Sequence, residues 1–141
     1  MAVIGVTGAR RLTTTQAEQL KYELWELDRA GNQWHVGDAV GVDELARKWV
    51  KNGELIIYEV NGNAKWNYAE RSTRMVKAIA AAGGTLHAWA NKPAPQGLKP
   101  AKNWGAAGGS GTWGTVALAK GLGVEVELHW LEDGLEKPDW L

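Results

Sequence analysis

The chain contains no cysteine and no phenylalanine among its 141 residues, and only four prolines and two methionines. Without cysteine there can be no disulfide, no thiolate metal ligand and no cysteine nucleophile. No apolar run approaches the ~20 residues needed to cross a bilayer. Met1-Ala2-Val3-Ile4-Gly5 enters a strand pattern at once, with no basic leader, so a cytoplasmic protein with no membrane partner is expected. Net charge is also missing: 16 basic and 16 acidic residues cancel. That falls short of the strong basic field of a dedicated nucleic-acid binder.

What is present suits a globular domain. Hydrophobic residues make up 45% of the chain, enough at this length to bury about two-thirds of the unfolded surface. The charge balance hides an asymmetry. Basic residues exceed acidic ones up to Val124, whereas Glu125, Glu127, Glu132, Asp133, Glu136 and Asp139 face Lys137 alone. The expected organisation is one domain over residues 1–130 and a solvated acidic tail over 131–141. There are nine tryptophans. Trp34, Trp89 and Trp130 fall on strands and Trp25 and Trp49 on helices, as core positions. Trp66, Trp104 and Trp113 lie near glycine turns, where they could stack on a base or ribose.

Hydrophobic periodicity predicts five strands: Ala2 to Thr7, Gln33 to Val36, Leu55 to Tyr58, Gly84 to Ala90 and Val124 to Trp130. Helices alternate with them. The first opens on a capping box at Thr15 and Glu18, with Leu20, Leu24 and Leu27 at helical spacing. This alternation implies an α/β fold: a three-layer, open, mainly parallel sheet of about five strands with helices on both faces. The stretch from Asn91 to Gly109 is too long for an ordinary connection and is expected to be a lid or a disordered segment.

Three glycine-bearing turns follow strands, and in such a sheet all three should meet at the carboxyl edge, where ligands bind. The first is Thr7-Gly8-Ala9-Arg10, whose guanidinium can grip a phosphate through two parallel hydrogen bonds. The second runs from Gly37 through Asp38 and Ala39 to Asp43. Asp38 is placed to accept from ribose hydroxyls, and Asp43 to cap the next helix. The third is Gly108-Gly109-Ser110-Gly111-Thr112-Trp113, a row of backbone N–H donors at a helix start, suited to a compact anion. Arg71 and Arg74, three apart on one helical face, could meet a diphosphate.

Catalytic signals are sparse. His35, His87 and His129 are scattered over strands, no paired carboxylates stand near the glycines, and no metal-ligand cluster is visible. No Lys-Ser or Lys-Thr follows the glycines, which argues against a P-loop nucleotidase.

Taken together, Val3 to Arg10, His35 to Asp43, Arg71-Ser72-Thr73-Arg74-Met75 and Gly108 to Thr112 resemble the SLOG superfamily. These are Rossmann-like domains shared by the DNA-processing protein DprA (Smf), the Lonely Guy phosphohydrolases and small DprA-like proteins of bacteria and phages. The resemblance implies a nucleotide or nucleotide-derived ligand on those loops and a homo-oligomer. Two departures stand out. Asp38 and Val40 replace a glycine and an arginine of the small-protein turn. Ala107 and Thr115 stand where the phosphohydrolases carry the proline and catalytic glutamate of P-G-G-x-G-T-x-x-E.

The expected function is therefore non-catalytic sensing or sequestration of a nucleotide-derived small molecule, with no cofactor and no metal. The expected ligand residues are Thr7, Gly8, Ala9, Arg10, Gly37, Asp38, Ala39, Asp43, Arg71, Arg74, Gly108, Gly109, Ser110, Gly111, Thr112 and Trp113. Two alternatives stay open: weak single-stranded DNA binding of the DprA kind, and hydrolysis of nucleoside monophosphates through another residue.

Overall fold

A computed structural model describes residues 1–105 and 110–141. Strand and helix alternate throughout: β1 (Val3–Gly8), α1 (Thr14–Leu27), β2 (Gln33–Gly37), α2 (Val42–Trp49), β3 (Glu54–Tyr58), α3 (Lys65–Ala81), β4 (Thr85–Ala90), α4 (Gly111–Gly121) and β5 (Glu125–Trp130). The five strands form one sheet in the order β3-β2-β1-β4-β5, every neighbouring pair parallel. Parallel neighbours need crossover helices, and the right-handed crossover places α1 and α2 on one face and α3 and α4 on the other. The strand order reverses between β1 and β4, which opens a crevice at their carboxyl ends.

Each face has its own core. Ile4, Val6, Trp34, Val36 and Trp89 meet Leu20, Leu24, Val42 and Ala46 on the α1/α2 side. Leu86, Ala88 and Ala90 meet Met75, Val76, Ile79, Trp113, Val116 and Leu118 on the α3/α4 side. Strands covered on both faces explain why β1 and β4 read as near-continuous apolar runs. Trp25, expected in the core, is instead 66% exposed beside Tyr22. It follows the buried Leu24 by one position, which turns it off the apolar stripe of α1.

The capping box of α1 lies two residues before the pair expected from sequence. The Gln16 N–H donates to Thr13 Oγ1 (3.1 Å), and the Thr13 N–H donates to Gln16 Oε1 (3.2 Å). Glutamine serves at that position as glutamate would, so Thr13 and Gln16 take the reciprocal roles expected of Thr15 and Glu18. Gln16 is also a junction. Its Nε2 donates to Glu132 (3.1 Å), and its Oε1 accepts from Asn91 Nδ2 (3.2 Å). The residues after β5 are thereby held against the body: Leu131 is buried, and Trp140 packs edge-on against Trp113. Between β4 and α4, Leu98 is buried in the α3/α4 core and Trp104 packs against it.

Two turns are joined by their backbones. The Val42 N–H donates to the Ala9 carbonyl at 3.0 Å. Gly41, the residue before α2, makes this approach possible. Its φ is +79°, and a Cβ there would collide with the Ala9 carbonyl.

Candidate functional site

The bends after β1 and β2 and the start of α4 converge on one rim. They line a cleft of about 1030 Å³ at the carboxyl ends of the strands. Thr7, Gly8, Ala9 and Arg10 contribute from the first turn, Gly37, Ala39 and Asp43 from the second, and Ser110, Gly111, Thr112 and Trp113 from the third. Gly108 and Gly109 lie outside the described residues. The Ser110 hydroxyl accepts from the Trp113 N–H (3.2 Å) and caps α4. The positive end of that helix therefore opens into the cleft. Trp113 is not a free stacking platform: it is 1% exposed, and its Nε1 donates to the Lys92 carbonyl (3.0 Å).

Of Asp38, Arg71 and Arg74, the structure brings only Arg71 to the cleft. Arg71 Nη1 donates to Asp38 Oδ1 at 2.6 Å, and Asp38 Oδ2 accepts from the Val60 N–H at 2.9 Å. Asp38 is therefore committed to the protein and does not line the cleft. Burial works against its charge, but the Val60 amide and the Arg71 guanidinium outweigh it and hold the carboxyl below its ordinary value. Arg71 does line the cleft, buried, with its charge already answered. Arg74 points elsewhere, gripping Glu70 (2.9 and 3.1 Å) and the Glu59 carbonyl (2.7 Å). Spacing of three on a helix puts two residues on neighbouring rows, and here one row meets the cleft and the other meets β3.

Asp43 is the most unusual group in the cleft. It is 7% exposed, and its Oδ1 has no hydrogen-bond partner among the described residues. It does not cap α2 as expected, because Gly41 occupies that position and makes no side-chain cap. Gly37 lets the charges close in: a Cβ there would lie 2.7 Å from Asp43 Oδ2 and 3.0 Å from Arg71 Nη1. Arg47 braces the same turn by donating to the Gly37 (2.7 Å) and Ala39 (2.9 Å) carbonyls. Burial pushes Asp43 up to about 6, against the opposing pull of Arg71 and Arg47.

A raised carboxyl has a definite consequence for stability. The folded chain keeps a proton on Asp43 that the unfolded chain has lost, so stability falls as pH rises from about 4 to about 6, then levels off. Asp43→Asn should remove that slope. Between pH 4 and pH 7 the variant should gain about 2 kcal/mol relative to the parent chain, as read from urea midpoints across pH. Equal pH dependence in the two proteins would show that Asp43 does not carry this proton.

Lining residues beyond the expected ligand set also reach the cleft, Lys92 among them from the segment expected to form a lid. Arg11, Lys65 and Lys92 are exposed at the cleft, as is Arg10, whose guanidinium lies 5.4 Å above the Tyr68 ring. None of these four cations forms an ion pair among the described residues. Lys92 was legible, since it follows a strand end just as the glycine turns do. Lys65 and Tyr68 sit in the first turn of α3, and only the packing of that helix brings them to the rim. Thr115 lines the cleft too, with its hydroxyl donating to the Gly111 carbonyl within α4 (2.7 Å).

The histidines held a second surprise. His87, Glu127 and His129 come together on β4 and β5, with ligand atoms all within 4.8 Å of one another. Forty residues of intervening chain hide this neighbourhood from any local motif. Burial, and the neighbouring His129, push His87 down to about 4.

No family model matches the chain, and no curated protein matches it. Among solved structures it resembles DNA processing protein A from Helicobacter pylori, described for its mode of binding single-stranded DNA. The TM-score is 0.60 at 15% identity, covering 90% of this chain and 64% of that one. The shared feature is the Rossmann-like α/β fold of DprA, and this chain spans less than two thirds of the neighbour's length. No helix among the described residues is long and apolar enough to cross a membrane.

Proposed function

We propose that the cleft binds a nucleotide-derived small molecule and holds it without turnover. The observation that carries this reading is one cavity combining four cations and a buried carboxylate oxygen, none with a partner among the described residues, with the amino end of α4. Phosphate oxygens suit the guanidinium of Arg10, Lys65, Lys92 and the helix terminus. A ribose hydroxyl or a base N–H suits Asp43 Oδ1, which needs a donor. The volume is that of a small-molecule site. The motif resemblance to SLOG domains supports the same class of ligand. Binding without hydrolysis is favoured by Thr115, which stands where the resemblance to the phosphohydrolases would place the catalytic glutamate and whose hydroxyl is engaged within its own helix.

The DprA fold supports a second reading, single-stranded DNA binding, because the structural neighbour is described as doing so. Exposed Trp66 (69%) beside Lys65, and Tyr68 (42%) at the cleft, would offer stacking faces to bases.

Native mass spectrometry of freshly purified protein, followed by titration with AMP, ADP-ribose and an oligothymidylate across salt, separates the two. A co-purified nucleotide-like mass, or saturable binding of a mononucleotide, is the expected result. Oligonucleotide binding with a steep salt slope and no response to mononucleotides would replace the first reading by the second. The ligand should survive the incubation without release of free base. Arg10→Ala should weaken binding by about 10- to 100-fold, the scale of a lost charge-assisted hydrogen bond. Its melting temperature should be unchanged, because Arg10 is exposed.

A further inference from the structure

We propose that His87, Glu127 and His129 form a binding site for one divalent first-row cation, of which Zn²⁺ best suits the donor set. The site is independent of the cleft, which none of the three lines. Sheet register builds it. His87 pairs with Glu127 and Trp89 with His129 across β4 and β5, and alternate residues of a strand share a face. Two imidazoles and a carboxylate therefore stand on one face, at the edge of the sheet where β5 ends the strand order.

The distances are those of a ligand set. His87 Nδ1 lies 2.9 Å from His129 Nε2 and 3.6 Å from Glu127 Oε2. Tetrahedral zinc with bonds of about 2.0–2.1 Å separates its ligand atoms by about 3.3 Å, between those two values. The two imidazole rings are near parallel at 11°, with centroids 5.2 Å apart, so the facing nitrogens meet edge to edge. A cation would replace the hydrogen bond the two nitrogens now share, sitting off their line on the Glu127 side, with both rings tilting so that their lone pairs converge on it. Spreading the nitrogens by a few tenths of an ångström, and turning the exposed Glu127 side chain inward, completes three bonds.

An outer carboxylate stands close by. His129 Nδ1 lies 3.8 Å from Glu23 Oε1, and the Trp89 Nε1 donates to Glu23 Oε2 at 3.1 Å. If Glu23 closed its gap to Nδ1 to hydrogen-bond distance, it would keep the proton on Nδ1 and leave the Nε2 lone pair for a metal, the usual support of a ligating histidine. Trp89 also stacks on His129, centroids 4.6 Å apart at 13°, which fixes the ring plane. Three protein donors leave a fourth position on the Glu127 side, which is exposed. An N₂O set with an open position favours zinc and its late first-row neighbours over calcium or magnesium, which require all-oxygen shells.

The test is titration of the chelator-treated full chain with Zn²⁺, followed by calorimetry and by nitrogen NMR of the imidazoles. One Zn²⁺ per chain is expected. The His87 and His129 nitrogens should shift while those of His35, which is hydrogen-bonded to Tyr58 and Gln33, stay in place. Glu127→Gln, at an exposed position that leaves folding intact, should weaken binding at least tenfold. His129→Ala should abolish the imidazole shifts, and Glu127→Gln keeps the test decisive if that variant does not fold. Absence of saturable uptake, a shift confined to His35, or unchanged affinity in Glu127→Gln would overturn the proposal.

Discussion

Asp28→Ala should cost about 3–5 kcal/mol of stability, the scale of several buried amides left without an acceptor. Asp28 is 5% exposed and accepts three backbone N–H groups: Lys51 (2.7 Å), Asn52 (2.9 Å) and Gly53 (2.8 Å). It follows α1 directly, where a negative charge opposes the helix dipole. Its value therefore lies in stitching the end of α1 to the turn between α2 and β3. Burial disfavours the charge, yet the three amides prevail and hold the carboxyl below its ordinary value. That stability is present above the unfolded value near 4 and drains away as pH falls through the lower folded value. Asp28→Asn should lose less, since one oxygen can still accept from Lys51 and Asn52. Urea unfolding at neutral pH measures both variants, and a loss under about 1 kcal/mol for alanine would mean that the turn finds other acceptors.

Arg71→Ala should be nearly as damaging, by about 2–4 kcal/mol. Removing one partner strands a buried charge, although the one-third exposure of Asp38 moderates the loss. Asp38 and Asp43 would then face each other with only Arg47 to offset them. A double substitution decides whether charge is the cause. Adding Asp38→Asn to Arg71→Met should recover part of what Arg71→Met alone loses, because the pair is removed together. Additive losses would assign the effect to packing of the arginine stem instead. Ligand affinity in these variants should fall mainly through disordering of the Gly37 turn, since the guanidinium is already engaged by Asp38.

These two expectations mark where sequence reasoning reached its limit. The glycine turns were legible because each joins a strand to a helix, and chain connectivity alone sends such turns to one edge of a parallel sheet. Arg10, Ala9 and Gly111 therefore fall where they were expected. Asp38 was misread because a carboxylate in a turn has two courses open to it. It can face a ligand or satisfy a buried cation, and only the position of Arg71 on α3 selects the second. Asp43 was read as a cap because aspartate near a helix start commonly is one. The fit of Gly41 against Ala9 puts the cap two residues before Asp43 and leaves the carboxyl inside.

Local pattern thus determined the element order, the parallel α/β architecture and the rim at which the glycine turns gather. Periodicity acts over a few residues and crossover handedness over one strand–helix–strand unit, so both survive in the bare string. Tertiary structure alone decided which charges neutralise one another, that Trp25 is exposed while Trp113 is buried, and that histidines about forty residues apart are neighbours. Those outcomes depend on side chains from distant segments competing for the same few ångströms, and no local spacing records that competition.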